Sequence, residues 1–134
     1  MENLVGKNNT LSKSYCLKIL LILYHKSIVI NDLIYALSCL ELIDEQGKKN
    51  KIMQSYNPML FIKKNVLKTL KKCSNMNLLY VNNHFLKITE EGKIYISNLI
   101  SINDPDISTY LKKIDIIKDQ NCNELYNEMI KKEE

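Results

Sequence analysis

Arginine and tryptophan are both missing from this chain of 134 residues, so all 19 basic side chains are lysine. Without a guanidinium fork the preferred bidentate partner of guanine is absent. Any base reading would therefore fall to Lys, Asn, Gln, Ser or Thr. Only 3 Gly and 2 Pro are present, which leaves little room for a loop-rich, many-stranded β architecture. The two histidines, His25 and His84, have no neighbouring Cys, Asp or second His at ligand spacing, so no metal is expected. There is no glycine-rich phosphate loop, no Gly-x-Ser-x-Gly and no His-Glu-x-x-His. The acid pair Asp104 and Asp106 is better explained by helix capping than by acid–base work. The chain is not expected to be an enzyme, and no cofactor is implied.

Paired-cysteine motifs are missing too. Cys16, Cys39, Cys73 and Cys122 are far apart and never form a Cys-x-x-Cys. Their plainest reading is four small buried thiols in a reducing cytosol, with no disulfide. An apolar stretch from Tyr15 to Tyr24 follows Lys7 and Lys13, but Lys18 interrupts it, His25-Lys26 ends it and no small-residue cleavage site follows. It is also too short for a bilayer, which takes roughly 20 apolar residues. A cytoplasmic protein with no membrane partner is the expectation. With 46% hydrophobic and 25% charged residues the composition is that of an ordinary globule, long enough for one real core.

What is present is strong helical patterning around one short β segment. Residues 1–13 are polar and read as a loose arm. Ser14 or Ser12 can cap a helix from Tyr15 to about Lys26, apolar almost all round and therefore covered on most sides. Ser27 to Ile30 is β-branched and short, a candidate small strand. Asn31 or Asp32 can cap a helix through Leu33, Ile34, Leu37, Leu40 and Leu42. Residues 44–57 contain the breaker Gly47 and no apolar periodicity; they are a long connection, or part of them is helical.

From Pro58 to Ser74 the sequence predicts a helix with Leu60, Ile62, Val66, Leu67, Leu70 and Cys73 on its buried face. Lys64, Lys68, Lys71, Lys72 and Asn75 recur on the opposite side. Leu78 to Val81 and Phe85 to Ile88 read as strands joined by a two- or three-residue turn at Asn82-Asn83-His84, because Asn tolerates positive φ. Thr89 can cap a helix reaching about Ser101, with Glu90 and Glu91 favoured in its first turn by the helix dipole. Asp104-Pro105 starts another, with Ile107, Tyr110, Leu111, Ile114 and Ile117 on one stripe. A last segment places Leu125, Tyr126, Met129 and Ile130 on one face.

Charge is unevenly distributed. Residues 1–45 hold 4 Lys and 5 acids, residues 46–89 hold 9 Lys and no acid, and residues 90–134 hold 6 Lys and 10 acids. The middle block thus carries +9 of formal charge around the Pro58–Ser74 helix, a localised patch suited to a polyanion such as nucleic acid. The plainer alternative is a solvated lysine face in a lysine-rich chain.

The order of helix, strand, turn, strand and helix resembles the second half of a winged helix-turn-helix domain. Leu78-Leu79-Tyr80-Val81 resembles the "gly-leu-ile" exit from that family's recognition helix, with Asn77 in place of the usual glycine. Ile88-Thr89-Glu90-Glu91-Gly92 is similar to the "leu-thr-x-x-gly" step that closes the wing. The resemblance implies a mainly α fold with a small β-hairpin, a winged helix-turn-helix with additional C-terminal helices. It implies an arm at 1–13, a winged-helix domain at 14–103 and a helical extension at 104–134 for dimerisation or docking.

The function so implied is DNA binding by a transcriptional or plasmid- or phage-type regulator, a homodimer on double-stranded DNA. Lys63, Lys64, Lys68, Lys71 and Lys72 would meet phosphates or base edges, with Asn75, Asn82 and Asn83 as polar readers. Two features depart from that pattern: the long 44–57 connection, where a tight turn of three or four residues is usual, and a wing tip without fixed positive charge. Leu17 to Tyr24 with Ile28 to Leu42 also loosely resembles the small middle components of three-component ABC-ATPase defence systems. That likeness implies an interaction subunit docking on a larger ATPase or nuclease partner.

Overall fold

The computed structural model describes residues 14–49 and 58–130. The expected arm over 1–13 and the greater part of the expected 44–57 connection lie outside the described residues. The elements run α1 (Tyr15–His25), β1 (Ile28–Val29), α2 (Ile30–Leu42), α3 (Met59–Asn75), β2 (Leu79–Asn82), β3 (Phe85–Ile88), α4 (Glu90–Ser101), α5 (Pro105–Ile117) and α6 (Cys122–Ile130). The architecture is mainly helical with one small three-stranded antiparallel sheet.

Helix α1 is the centre of the core. Ser14 caps it, its hydroxyl accepting from the Leu17 amide at 3.2 Å. Every residue from Cys16 to Leu23 is buried, and α2, α3, α4 and β3 of the same chain supply the cover that an all-round apolar helix needs. Lys18 is the polar exception. Its ammonium lies 2.8 Å from the Glu41 carboxylate of α2 and 5.1 Å from the centre of the Tyr15 ring. A buried ammonium needs such partners, because desolvating it unpaired costs several kcal/mol. Glu41→Gln is expected to lower unfolding stability by about 2–3 kcal/mol in urea titrations. That is below the usual cost of orphaning a buried charge, because water reaches the carboxylate.

Strand β1 runs directly into α2, so the N-cap is Val29 with no side-chain bond, rather than the expected Asn31 or Asp32. Asp32 instead stands in the first turn, where the helix dipole favours it. The sheet order is β1-β3-β2, with Ile28 opposite Leu86 and Tyr80 opposite Lys87. The hairpin turn has two residues: Asn82 pairs with Phe85, and Asn83 and His84 between them have φ of 51° and 70°. Positive φ at both central positions is the type I′ geometry that suits strand twist.

Two local devices explain the short motifs on either side of the hairpin. Helix α3 ends with Asn77 at φ 59°, the Leu78 amide donating to the Cys73 carbonyl at 3.0 Å and the Asn77 amide to Ser74 at 2.9 Å. This is a Schellman ending in which Asn serves where glycine is commoner. Thr89 then donates to the Asn77 carbonyl at 2.7 Å and accepts from the Gly92 amide at 2.9 Å, tying the start of α4 to the end of α3. Gly92 lies so close that an added Cβ would stand 2.3 Å from the Leu78 carbonyl oxygen and 2.7 Å from the Ile88 side chain. Gly92→Ala is therefore expected to cost about 3 kcal/mol, at the upper end of overpacking effects. Its check is a lowered denaturation midpoint with an unchanged m-value.

Asp104 caps α5 as expected, accepting from the amides of Asp106 and Ile107 at 2.8 and 3.3 Å. Ile107, Tyr110, Ile114 and Ile117 of α5 are buried, as are Tyr126 and Met129 of α6. Both helices pack on α2 of their own chain, α6 most closely. The apolar stripes expected to meet a twin are thus already spent inside the chain.

The cysteine expectation is corrected. Cys16 of α1 and Cys73 of α3 are joined in a disulfide, their Cα atoms 6.4 Å apart across 57 residues of sequence. Cys39 and Cys122 are free thiols. Spacing along the chain gave no sign of this bond, because two crossing helices bring the sulfurs together.

Candidate nucleic-acid interface

Helix α3 buries Ile62, Val66, Leu70 and Cys73 against α1 and α2. The opposite side carries Lys63, Lys64, Lys68, Lys71 and Lys72, all exposed. At about 3.6 residues per turn, Lys64, Lys68 and Lys71 sit in the middle of that side, with Lys63 and Lys72 on its flanks. Among the described residues none of the five is in an ion pair; the ion pairs present join Lys18 to Glu41, Lys93 to Glu90 and Lys118 to Asp115. A positive field without countercharge from the described residues therefore faces solvent on one helix.

Asn75 is exposed at the C-terminal end of the same helix. Asn82 and Asn83 are exposed at the hairpin, on a separate element, and Lys87 is half-buried on β3. The structure thus places Lys64, Lys68, Lys71 and Asn75 on one side of α3 with Lys63 and Lys72 on its two flanks, and the wing asparagines on the hairpin that follows.

Two expected core residues are corrected. Leu60 is 79% exposed and Leu67 59%, and Phe61 beside them is 56% exposed. The three- and four-residue spacing that linked these leucines to the core side does not separate neighbouring faces well. On a helical wheel Leu60 and Leu67 fall roughly 100° or more from the Ile62–Val66–Cys73 line. They stand among the lysines, in the row Leu60, Lys64, Leu67, Lys71. Phe61 leans on Tyr15 of α1, ring centres 6.1 Å apart. Tyr80, Val81 and Phe85 are also exposed, on the hairpin. A wheel drawn from the sequence could have placed Leu60 and Leu67; the hairpin residues left no such signal, because a strand of this length alternates too few times.

Among the described residues no helix is long and apolar enough to cross a membrane. No known family, curated protein or solved structure matches this chain.

Proposed function

We propose that the chain is a winged-helix DNA-binding protein of the transcriptional, plasmid or phage regulator kind, with α3 entering the major groove. The observation that carries this reading is the solvent side of α3: five exposed lysines, unpaired by any described acid, within a 44-residue block (46–89) that contains no carboxylate. The element order, the β1-β3-β2 sheet and the type I′ hairpin after α3 support it. Lys64, Lys68, Lys71 and Lys72 grip phosphates, while Asn75 and the smaller polar groups approach base edges. The protein does no chemistry on its target. Any two-fold dimer on a palindromic site has to use a surface other than the covered stripes of α5 and α6.

A second reading has one specific observation behind it. Leu60 and Leu67, two turns apart on the lysine side of α3, are both exposed, and such apolar groups suit a protein partner better than a phosphate backbone. In that reading the chain is an interaction subunit of a larger ATPase- or nuclease-containing assembly, and the lysines meet acidic residues of the partner. Binding to random duplex DNA at two salt concentrations separates the two, with light scattering on the same sample to give the mass. A regulator binds tightly at low salt and loses affinity steeply as salt rises. An interaction subunit shows no such binding.

A further inference from the structure

Helix α6 begins at Cys122, with Asn121 before it accepting from the Glu124 amide at 3.1 Å. Across from that first turn, on α2, Cys39 is fully buried. The Cys39 thiol donates to the Cys122 carbonyl oxygen at 3.3 Å, which sets the two free cysteines side by side, and the Cys122 thiol donates to the Gln120 carbonyl at 3.9 Å. Cys122 is only half-buried, so one residue of the pair is partly open to solvent and the other is not. The free cysteines expected to be separate are thus neighbours.

We propose that Cys39 and Cys122 form a peroxide-reactive thiol pair, in which Cys122 is the attacking sulfur and Cys39 the resolving one. Three features divide the roles. Cys122 is reachable from solvent and stands in the first turn of a helix, where the free amides and the dipole favour a thiolate. The neighbouring Cys39 thiol is the largest influence and, with the positive charge of Lys26, lowers its pKa below the ordinary thiol value against the opposing effects of burial and of Asp32. Cys39 is held protonated, its pKa pushed far up by the hydrogen bond to Cys122 and then by burial.

The chemistry balances with hydrogen peroxide as the named oxidant. The Cys122 thiolate attacks one peroxide oxygen, the O–O bond breaks, and the departing hydroxide takes a proton to leave as water. Cys122 is then a sulfenic acid. The Cys39 sulfur attacks the Cys122 sulfur, the S–O bond breaks, and the Cys39 proton leaves with the hydroxyl as a second water. Two electrons pass from the thiols to the peroxide, and one S–S bond forms between α2 and α6. The Cys16–Cys73 bond takes no part.

The test treats the full chain with a stoichiometric amount of hydrogen peroxide, alkylates it and maps peptides without reduction. The expected result is loss of both free thiols together and a peptide linking Cys39 to Cys122, reversed by reductant. In Cys39→Ser, Cys122 should stop at a sulfenic acid that dimedone traps; in Cys122→Ser, Cys39 should stay reduced. Three results overturn the proposal: Cys122 oxidised to sulfinic acid while Cys39 is still alkylated, linkage of either residue to Cys16 or Cys73, or no reaction. If a serine variant fails to fold, the map of the unaltered protein alone decides.

Discussion

Replacing Lys64, Lys68 and Lys72 together with glutamine is expected to lower the slope of log affinity against log salt by roughly 2–3 units, at about 0.9 per lost phosphate contact on duplex DNA. At ~0.1 M salt, that loss of counterion release amounts to roughly 10²–10³ in affinity. The three side chains are exposed on successive turns of α3, and no described acid pairs with them. Glutamine keeps their length and helix propensity, so the thermal midpoint should barely move. Affinity should fall for every duplex tested, because phosphate contacts carry no sequence code. Unaltered protein without salt-dependent binding at ~100 mM salt, where non-specific binders of this kind reach roughly micromolar affinity, ends the regulator reading. If the triple change instead releases an acidic protein partner in a pull-down, and Leu60→Ser with Leu67→Ser does the same, the face belongs to an interaction subunit.

Breaking the Cys16–Cys73 bond is expected to have the largest effect on stability. The bond closes 57 residues of chain between α1 and α3. In the chain-entropy account a closed loop of that length restricts the unfolded ensemble by about 4 kcal/mol. For a chain of this size that corresponds to a fall in Tm of roughly 10–15 °C. Both sulfurs are buried, so a reductant should act slowly on the folded protein and fast once urea has opened it. Cys16→Ala with Cys73→Ala should reproduce the reduced protein's unfolding midpoint. The finding that would defeat this expectation is an unchanged midpoint together with four titratable thiols in the freshly isolated protein. That result would restore the reading of four separate thiols in a reducing compartment.

These two outcomes bear on different parts of the molecule, and they are independent. The lysines lie on the solvent side of α3, while Cys73 lies on its buried side with Ile62, Val66 and Leu70. A stability change with intact DNA binding, or the reverse, is therefore interpretable. An Ala or Ser change at Leu60 or Leu67 should likewise leave stability nearly unaffected, since these side chains contribute little to the core.

Local signals in the sequence determined where most elements begin and turn. Ser14, Thr89 and Asp104 carry capping oxygens, and each makes the bond expected of it. Asn83 tolerates the positive φ of a two-residue turn, and β-branched Ile28 and Val29 form the third strand. These are short-range effects, so a few consecutive residues contain all the information. The lysine-rich, acid-free middle block was legible for the same reason, as charge is written residue by residue. Tertiary structure alone decided what crosses the chain. Lys18 is tolerable in an apolar helix because α2 brings Glu41 to it, 23 residues away in sequence. Cys16 meets Cys73, and Cys39 meets Cys122, because helices distant in sequence cross at those points. The stripes of α5 and α6 cover α2 of their own chain instead of a twin, a choice amphipathicity cannot express, since an apolar face specifies burial but not against what. Leu60 and Leu67 stand between the two cases: a helical wheel sets them off the Ile62–Val66–Cys73 line, while the docking of α1 and α2 on that line is what made it the core side.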